Sequence, residues 1–438
     1  MSTHHMKSHS QDRLLDLVFS DLDIWENAIN DGDEKKIKRR ILQDYSDPKV
    51  REDLKETIRN HKYHVSPPHE AQIPKDDGTM RTVYVNKDKD RILLTVINNI
   101  FFKYCKHMIH PSCMSYQIGI GCGKIDKKVV RDIQRIGVAK SGFIGYKIDL
   151  SKYFDTVPLE YIDDVFDQIE NQFGPSAIMD LVREYYHDDT LLDLRKQKFQ
   201  KYTSLRQGCA IAAFLADAVL YDIDKAMSEL NVVYYRYSDD ILILGPNAEN
   251  AYIRISEMLN QKTLKLNPNK VERLDGNHWF TFLGFSIKND KITLSKKRIK
   301  NLQKAIEERS IRSKSKNNCS KVAMHRIYTY LYDTSITKFG YAEGIFPIIN
   351  CEEDIEALDL FILDCIRACD TNKTKLGGLG YNKTGENGVI VRGKGRNVRS
   401  NRNKIDVVDN YVSLSHMQTL FNTNRTVYET YVRDMIMS

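Results

Sequence analysis

Two adjacent carboxylates, Asp239 and Asp240, interrupt an apolar stretch that runs from Val232 to Leu244. A charged side chain is expensive to bury unless it is paired or bound to a cation. The flanks, Val232-Val233-Tyr234-Tyr235 and Ile241-Leu242-Ile243-Leu244, carry the β-branched and aromatic residues that fit strands. The acids are therefore expected in the tight turn of a β-hairpin. Taken alone, Asp-Asp between strands is ordinarily a solvated turn, and a third acid changes that expectation. Asp149 lies near the end of a strand reading from Phe143 to Leu150, and strands lying side by side would bring it to the hairpin tip. Three carboxylates gathered there suit two magnesium ions, hard cations that take oxygen ligands.

Composition sets broader limits. With 438 residues, 41% of them apolar and 29% charged, the chain has enough core for two or three structural units. A formal net charge of +7 permits a polyanionic partner without demanding one. None of the eight cysteines forms a C-x-x-C pair, which argues against a zinc site or a disulfide frame. Cys365 and Cys369 belong to an apolar helical stripe, and free thiols suit the cytoplasm, the expected location. Met1 to Asp12 lacks the apolar run of a signal peptide. The longest apolar run, Ile92 to Phe102, is broken by Asn98 and Asn99 and is too short to span a bilayer, so no membrane partner is expected.

Along the chain, residues 12 to about 62 read as helical and end before Ser66-Pro67-Pro68. Ile73 to Val85 reads as a hairpin turning at Asp77-Gly78. Helices are expected over Ile92 to Ile109, from Pro158 through Ile169, and over Ile211 to Tyr221. Gly119, Gly121 and Gly123 lie in a loop without dinucleotide-binding spacing. Two short strands surround Asn289-Asp290. Helix returns from Ser295 and over Ile355 to Cys369, and a last helix covers Leu414 to Ile436. Between them, Gly377 to Lys404 is glycine-rich and basic. The fold class is therefore α+β.

Several motifs stand in one order. Asp149-Leu150-Ser151-Lys152-Tyr153-Phe154-Asp155 precedes Arg206-Gln207-Gly208, then Tyr237-Ser238-Asp239-Asp240, then Leu266-Asn267-Pro268-Asn269-Lys270, then Phe282-Leu283-Gly284-Phe285. Upstream stand Ile73-Pro74-Lys75, Arg81 and Asp90-Arg91-Ile92. This order resembles that of reverse transcriptases, with the Y-x-D-D hairpin at its centre, and extends over roughly residues 70 to 370. Phe339-Gly340-Tyr341 and the helix around Leu358-Asp359 resemble a thumb. The resemblance implies a right-hand polymerase, its antiparallel palm sheet packed on helices. The divisions expected are a helical N-terminal extension (1–68), fingers and palm (69–295), a helical thumb (296–375), and a basic linker with a C-terminal helix (376–438).

The resemblance also implies roles. Asp149, Asp239 and Asp240, with the backbone carbonyl of Leu150, would hold two Mg2+ ions, for which Mn2+ can substitute. Lys270 would protonate the leaving pyrophosphate. Lys75 and Arg81 would clamp the incoming deoxynucleoside triphosphate. Gln207 and Gly208 would lie under nucleotide and template. Phe154, five residues after the first acid, would collide with a ribose 2′-hydroxyl and so select deoxynucleotides. Phe282, Leu283 and Gly284 would form the primer grip.

The chain departs from the common pattern in two places. Cys209 to Ala216 lacks the usual Ser-Pro, and Ser115-Tyr116-Gln117-Ile118-Gly119 stands where an arginine-bearing loop is usual. These departures resemble the bacterial reverse transcriptases of abortive infection and phage defence, and set the chain apart from group II intron and retron enzymes. An RNA template, expected to be a dedicated noncoding RNA, and a DNA product are the partners implied. The identity of the primer and the oligomeric state stay open. Two alternatives are template-independent or protein-primed DNA synthesis, with Tyr411, Tyr428 and Tyr431 as candidate primers, and a maturase-like RNA-binding scaffold. The basic segment Arg392 to Lys404 could grip an RNA backbone.

Overall fold

The computed structural model describes residues 12–30, 44–75, 78–116, 125, 128–129, 131–132, 144–202, 204–275, 278–288, 291–311, 319–333, 341, 345–370, 383–384, 390–391 and 411–437. The glycine loop at 119, 121 and 123, the Asn289-Asp290 turn, Phe339-Gly340 and the basic segment 392–404 lie outside the described residues. Two compact units emerge, one comprising Met1–Ile118, Lys147–Ile243 and Glu249–Glu272, the other Gly119–Tyr146, Leu244–Ala248 and Arg273–Ser438. The fold is α+β, as expected.

The first unit begins with helices α1 (Arg13–Ser20), α2 (Leu22–Asn30) and α3 (Pro48–Arg59). Asp12 caps α1 by accepting from Leu15 N–H at 2.9 Å, and its other oxygen accepts from Ala177 N–H at 2.8 Å. Strands β1 (His69–Pro74) and β2 (Met80–Val85) form the expected antiparallel hairpin, with Ile73 opposite Arg81. Gly78, at φ +82°, supplies the left-handed residue of its turn. Helix α4 (Asp88–Tyr104) buries Ile92, Leu93, Val96, Ile97, Ile100 and Phe101 almost completely. It stops five residues before the expected Ile109, and a short 3-10 turn, Lys106–Met108, follows.

Strand β3 (Ile144–Asp149) leads to a single turn, α5 (Tyr153–Thr156). Helices α6 (Leu159–Phe173), opening after Pro158 as expected, and α7 (Ala177–His187) come next. Strands β4 (Thr190–Leu192) and β5 (Lys198–Gln200) then extend the first hairpin, with β1 meeting β4 in parallel. The helix expected over Ile211 to Tyr221 is in fact two, α8 (Ala212–Ala218) and α9 (Tyr221–Ser228), broken at Val219-Leu220. Strands β6 (Val233–Tyr237) and β7 (Asp240–Leu244) share a sheet with β3 in the order β6-β7-β3. Helix α10 (Ala248–Gln261) follows.

The second unit holds strand β8 (Glu272–Asp275) and a three-stranded antiparallel sheet of β9 (Phe280–Phe282), β10 (Phe285–Lys288) and β11 (Lys291–Leu294). Helices α11 (Lys296–Ile311), α12 (Cys319–Tyr332) and α13 (Glu352–Asp370) pack together. Cys365 and Cys369 are buried in α13, as a core stripe requires. The expected last helix is again two, α14 (Leu414–Thr423) and α15 (Arg425–Met437), separated at Asn424. Asp359 of α13 accepts from Leu414 N–H and Tyr411 Oη, each at 2.7 Å, and so caps α14. No described helix is long and apolar enough to cross a membrane.

Candidate active site

Of the acid pair, Asp239 occupies the hairpin turn, whose connection is Ser238-Asp239, whereas Asp240 opens β7. A two-residue hairpin loop needs a positive φ to match strand twist, and Ser238 supplies it at +56°. Serine lacks glycine's freedom there, so the conformation must be held by its surroundings. Ser238 N–H donates to Ser115 Oγ at 2.8 Å, Arg236 donates to the Ser238 carbonyl at 3.3 Å, and Tyr116 Oη donates to Ser238 Oγ at 3.3 Å.

Arg236 is wholly buried, and this network was not foreseen from sequence. Its guanidinium grips Asp224 through Nε at 2.8 Å and Nη2 at 2.6 Å, and donates to the carbonyls of Asp217 at 2.7 Å and Ala216 at 3.2 Å. One guanidinium thus faces two buried carboxylates, since Asp217 Oδ1 stands 3.8 Å away. Burial pushes the Asp217 carboxyl up to about 7, against the pull of Arg236 and the Ser115 hydroxyl. The signal was present in the sequence: a cation within a β-strand of a buried hairpin requires a buried partner, and Asp217 and Asp224 sit in a mostly apolar helical stretch.

Asp149, at the end of β3, is 6% exposed. Lys270, in the 3-10 turn Pro268–Lys270, donates to its Oδ2 at 2.7 Å. Asn267 N–H donates to the Asp149 carbonyl at 2.8 Å, and Ser151 N–H donates to the Lys265 carbonyl at 2.7 Å. These two bonds flank the antiparallel bridge between Leu150 and Leu266, so the Leu150 carbonyl is not used in that pairing. Leu150 N–H instead donates to the Asp239 carbonyl at 3.2 Å, tying the first acid's strand to the acid turn.

Asp149, Asp239, Asp240, Ser238 and Lys270 line an open cleft of about 770 Å3, which also takes in Arg81, Phe154, Gln207, Tyr116, Tyr237 and Lys147. Lys75 lines an adjoining hollow of about 410 Å3 that shares Arg81, Asp149, Phe154, Gln207 and Lys270. Phe154 is half-exposed while its neighbour Tyr153 is buried and donates to the Ala216 carbonyl at 2.7 Å. Gly208 is not part of the cleft lining. At φ +102° it lies against β2, where a Cβ would come 3.0 Å from the Tyr84 carbonyl oxygen, and the Gln207 carbonyl accepts from Tyr84 N–H at 2.7 Å. Phe282, Leu283 and Gly284 belong to the second unit, where Leu283 (φ +47°) and Gly284 (φ +86°) make the β9–β10 turn, and Arg298 donates to the Leu283 carbonyl at 3.2 Å.

The acids repel one another. Burial, then the charges of Asp149 and Asp240, push the Asp239 carboxyl up to about 6. Burial also raises that of Asp240, with Lys147 opposing. Lys270 is held charged: burial works against its proton, but the bond and charge of Asp149 prevail. Among the described residues no three acidic, histidine or cysteine side chains form a ready-made metal cluster. The donor set nonetheless fits a divalent cation. It consists of oxygen ligands alone, which suits Mg2+ or Mn2+ rather than zinc, and a cation would relieve the repulsion that raises Asp239.

Part of the chain matches a known family. Residues 73–287 match the family described as reverse transcriptase (RNA-dependent DNA polymerase). Retron Ec48 reverse transcriptase of Escherichia coli is 26% identical over 211 residues, covering 46% of this chain and 47% of the relative. The chain thus spans about half the length of that curated relative, and the likeness to a retron enzyme is confined to that shared portion. Among solved structures, apo telomerase from Candida tropicalis aligns at 11% identity and a TM-score of 0.45, over 85% of this chain and 66% of that one. Telomerase from Candida albicans with a telomeric RNA fragment aligns at 11% identity and a TM-score of 0.41, over 72% and 60%. The matched family range, 215 of the 438 residues, contains Asp149, Asp239, Asp240 and Lys270, and over that range the chain is similar to a reverse transcriptase domain.

Proposed function

We propose that the protein is an RNA-directed DNA polymerase that joins deoxynucleotides on two divalent cations. The observation that carries this reading is the gathering of Asp149, Asp239 and Asp240 on one open cleft, with Phe154 on its wall. Bound Mg2+ would activate the primer hydroxyl and stabilise the leaving pyrophosphate. Asp149 and Asp239, with Asp240 beside them and the Leu150 carbonyl, are the groups that would hold it. Lys270, which lines the same cleft, would give a proton to the departing phosphate oxygen. Arg81 and Lys75 offer cationic donors for the triphosphate, Gln207 faces the same space, and Phe154 presents a ring to the sugar.

For the biological role we infer reverse transcription of a dedicated noncoding RNA in bacterial antiphage defence, in the cytoplasm. Its support is the resemblance of the motif departures around Ser115 and Cys209 to abortive-infection reverse transcriptases. The test is to purify the protein with its bound nucleic acid, supply labelled deoxynucleotides or ribonucleotides with Mg2+, and sequence template and product. Deoxynucleotide incorporation templated by RNA is expected. Incorporation of ribonucleotides alone would overturn the assignment of a DNA product, and phage protection that survives Asp239→Ala with Asp240→Ala would make the chain a scaffold.

A further inference from the structure

The hydroxyl of Ser115 stands where a β-ladder would place a carbonyl. Residues 112 to 114 run parallel to β6: Arg236 N–H donates to the Ser112 carbonyl at 3.0 Å, and Met114 N–H donates to the Arg236 carbonyl at 2.9 Å. Parallel ladders are evenly spaced, so the next rung would join Ser238 N–H to the Met114 carbonyl. Ser238 N–H instead reaches Ser115 Oγ at 2.8 Å, and that hydroxyl donates to Asp217 at 2.5 Å. The Ser238 carbonyl and hydroxyl are taken by Arg236 and Tyr116. Each polar group of Ser238 is therefore held from outside the two-residue turn.

We propose that Ser115, supported by Tyr116, is a positioning residue for the acid turn. It fixes Ser238 in a left-handed conformation that serine does not favour on its own, and thereby sets the directions in which Asp239 and Asp240 leave the backbone. The inference rests on the reading of those acids as cation ligands. Ser115 is fully buried and is not part of the cleft lining; it acts through Ser238. Tyr116 is 42% exposed and lines the cleft, so it links the same bracket to whatever lies there. This segment stands where the arginine-bearing loop is missing, and the bracket gives it a purpose of its own.

The experiment uses the full chain and reads two quantities. Mn2+ binding is titrated by the electron paramagnetic resonance of the free ion, and primer extension is measured with Mg2+ on an RNA template. Ser115→Ala should weaken Mn2+ binding about 10-fold and lower kcat comparably, with KM for deoxynucleotide within about twofold. Ser115→Thr, which keeps the hydroxyl, should restore both, and Tyr116→Phe should give a smaller loss in the same direction. A folded Ser115→Ala protein with wild-type Mn2+ affinity and kcat overturns the proposal. If Ser115→Ala does not fold, Tyr116→Phe decides, and unchanged values there overturn it equally. Because Mn2+ binding is read without turnover, a wild-type chain that binds the ion but adds no nucleotide refutes the polymerase reading separately.

Discussion

The Lys270 ammonium lies 2.7 Å from Oδ2 of Asp149, an ion pair in which the carboxylate is buried and the lysine more than half exposed. The lysine neutralises the acid that a cation would bind, so the two compete for it. If Lys270 also supplies the proton for pyrophosphate departure, its removal has opposite effects on binding and turnover. Lys270→Met should bind Mn2+ severalfold more tightly, while kcat falls about 10²-fold. Tighter binding with undiminished single-turnover rates would show that Lys270 is no acid.

Phe154 is aimed at the cleft by its neighbours. Lys152 takes a left-handed φ of +51°, Tyr153 is anchored to the Ala216 carbonyl, and Leu205 N–H donates to the Phe154 carbonyl at 3.0 Å. The ring is half-exposed and meets that of Tyr153 edge to face, with centroids 5.8 Å apart. Phe154→Ala should raise the ratio of ribonucleotide to deoxynucleotide kcat/KM by roughly 10- to 100-fold. A ratio that stays at the wild-type value would remove Phe154 from sugar selection.

What the sequence disclosed follows from what is local. The acid turn was legible because alternating strand residues and an Asp-Asp pair are neighbours in the chain, and Asp149 was legible because it ends a strand of the same kind. The support beneath the turn was not. Arg236 in a buried strand signalled that some acid must meet it, but it meets Asp217 and Asp224 only after α8 and α9 fold back against β6, and no periodicity names those partners. Apolar residues continue through the break at Val219-Leu220 and hid it, whereas the break at Asn424 has a local cause: its Oδ1 accepts from Val427 N–H at 3.2 Å, as a helix N-cap does. Gly208 was expected beneath the nucleotide; what the sequence did not disclose is that a side chain there would also meet β2.

The buried network makes stability depend on pH with a defined sign. Asp217 has a folded-state carboxyl near 7, against about 3.9 in an unfolded chain. The folded state therefore holds this proton more tightly, and its stabilising contribution is full below about pH 4 and lost as pH rises through about 7. Asp217→Asn keeps an acceptor for the Ser115 hydroxyl and cannot titrate. Relative to wild type, the variant should be more stable at pH 8 than it is at pH 5, as read from urea unfolding midpoints. An equal difference at both pH values would show that Asp217 stays ionised beside Arg236.

Gly208 offers the last test, because two independent costs fall on one atom. At φ +102° any L-residue is strained, and a Cβ would lie 3.0 Å from the Tyr84 carbonyl and 3.2 Å from Val83 Cβ, both on β2. The obstacle at Tyr84 is backbone, so it cannot rotate away. Relief would require the loop to lift from the strand, breaking the 2.7 Å bond between Tyr84 N–H and the Gln207 carbonyl. Gly208→Ala should thus destabilise the protein by roughly 1–3 kcal/mol and displace Gln207 from the cleft it shares with Arg81 and Phe154. The second effect separates this variant from simple destabilisation: KM for deoxynucleotide should rise even at temperatures where the variant is fully folded. An unaltered KM in the folded variant would mean that Gln207 takes no part in holding the nucleotide.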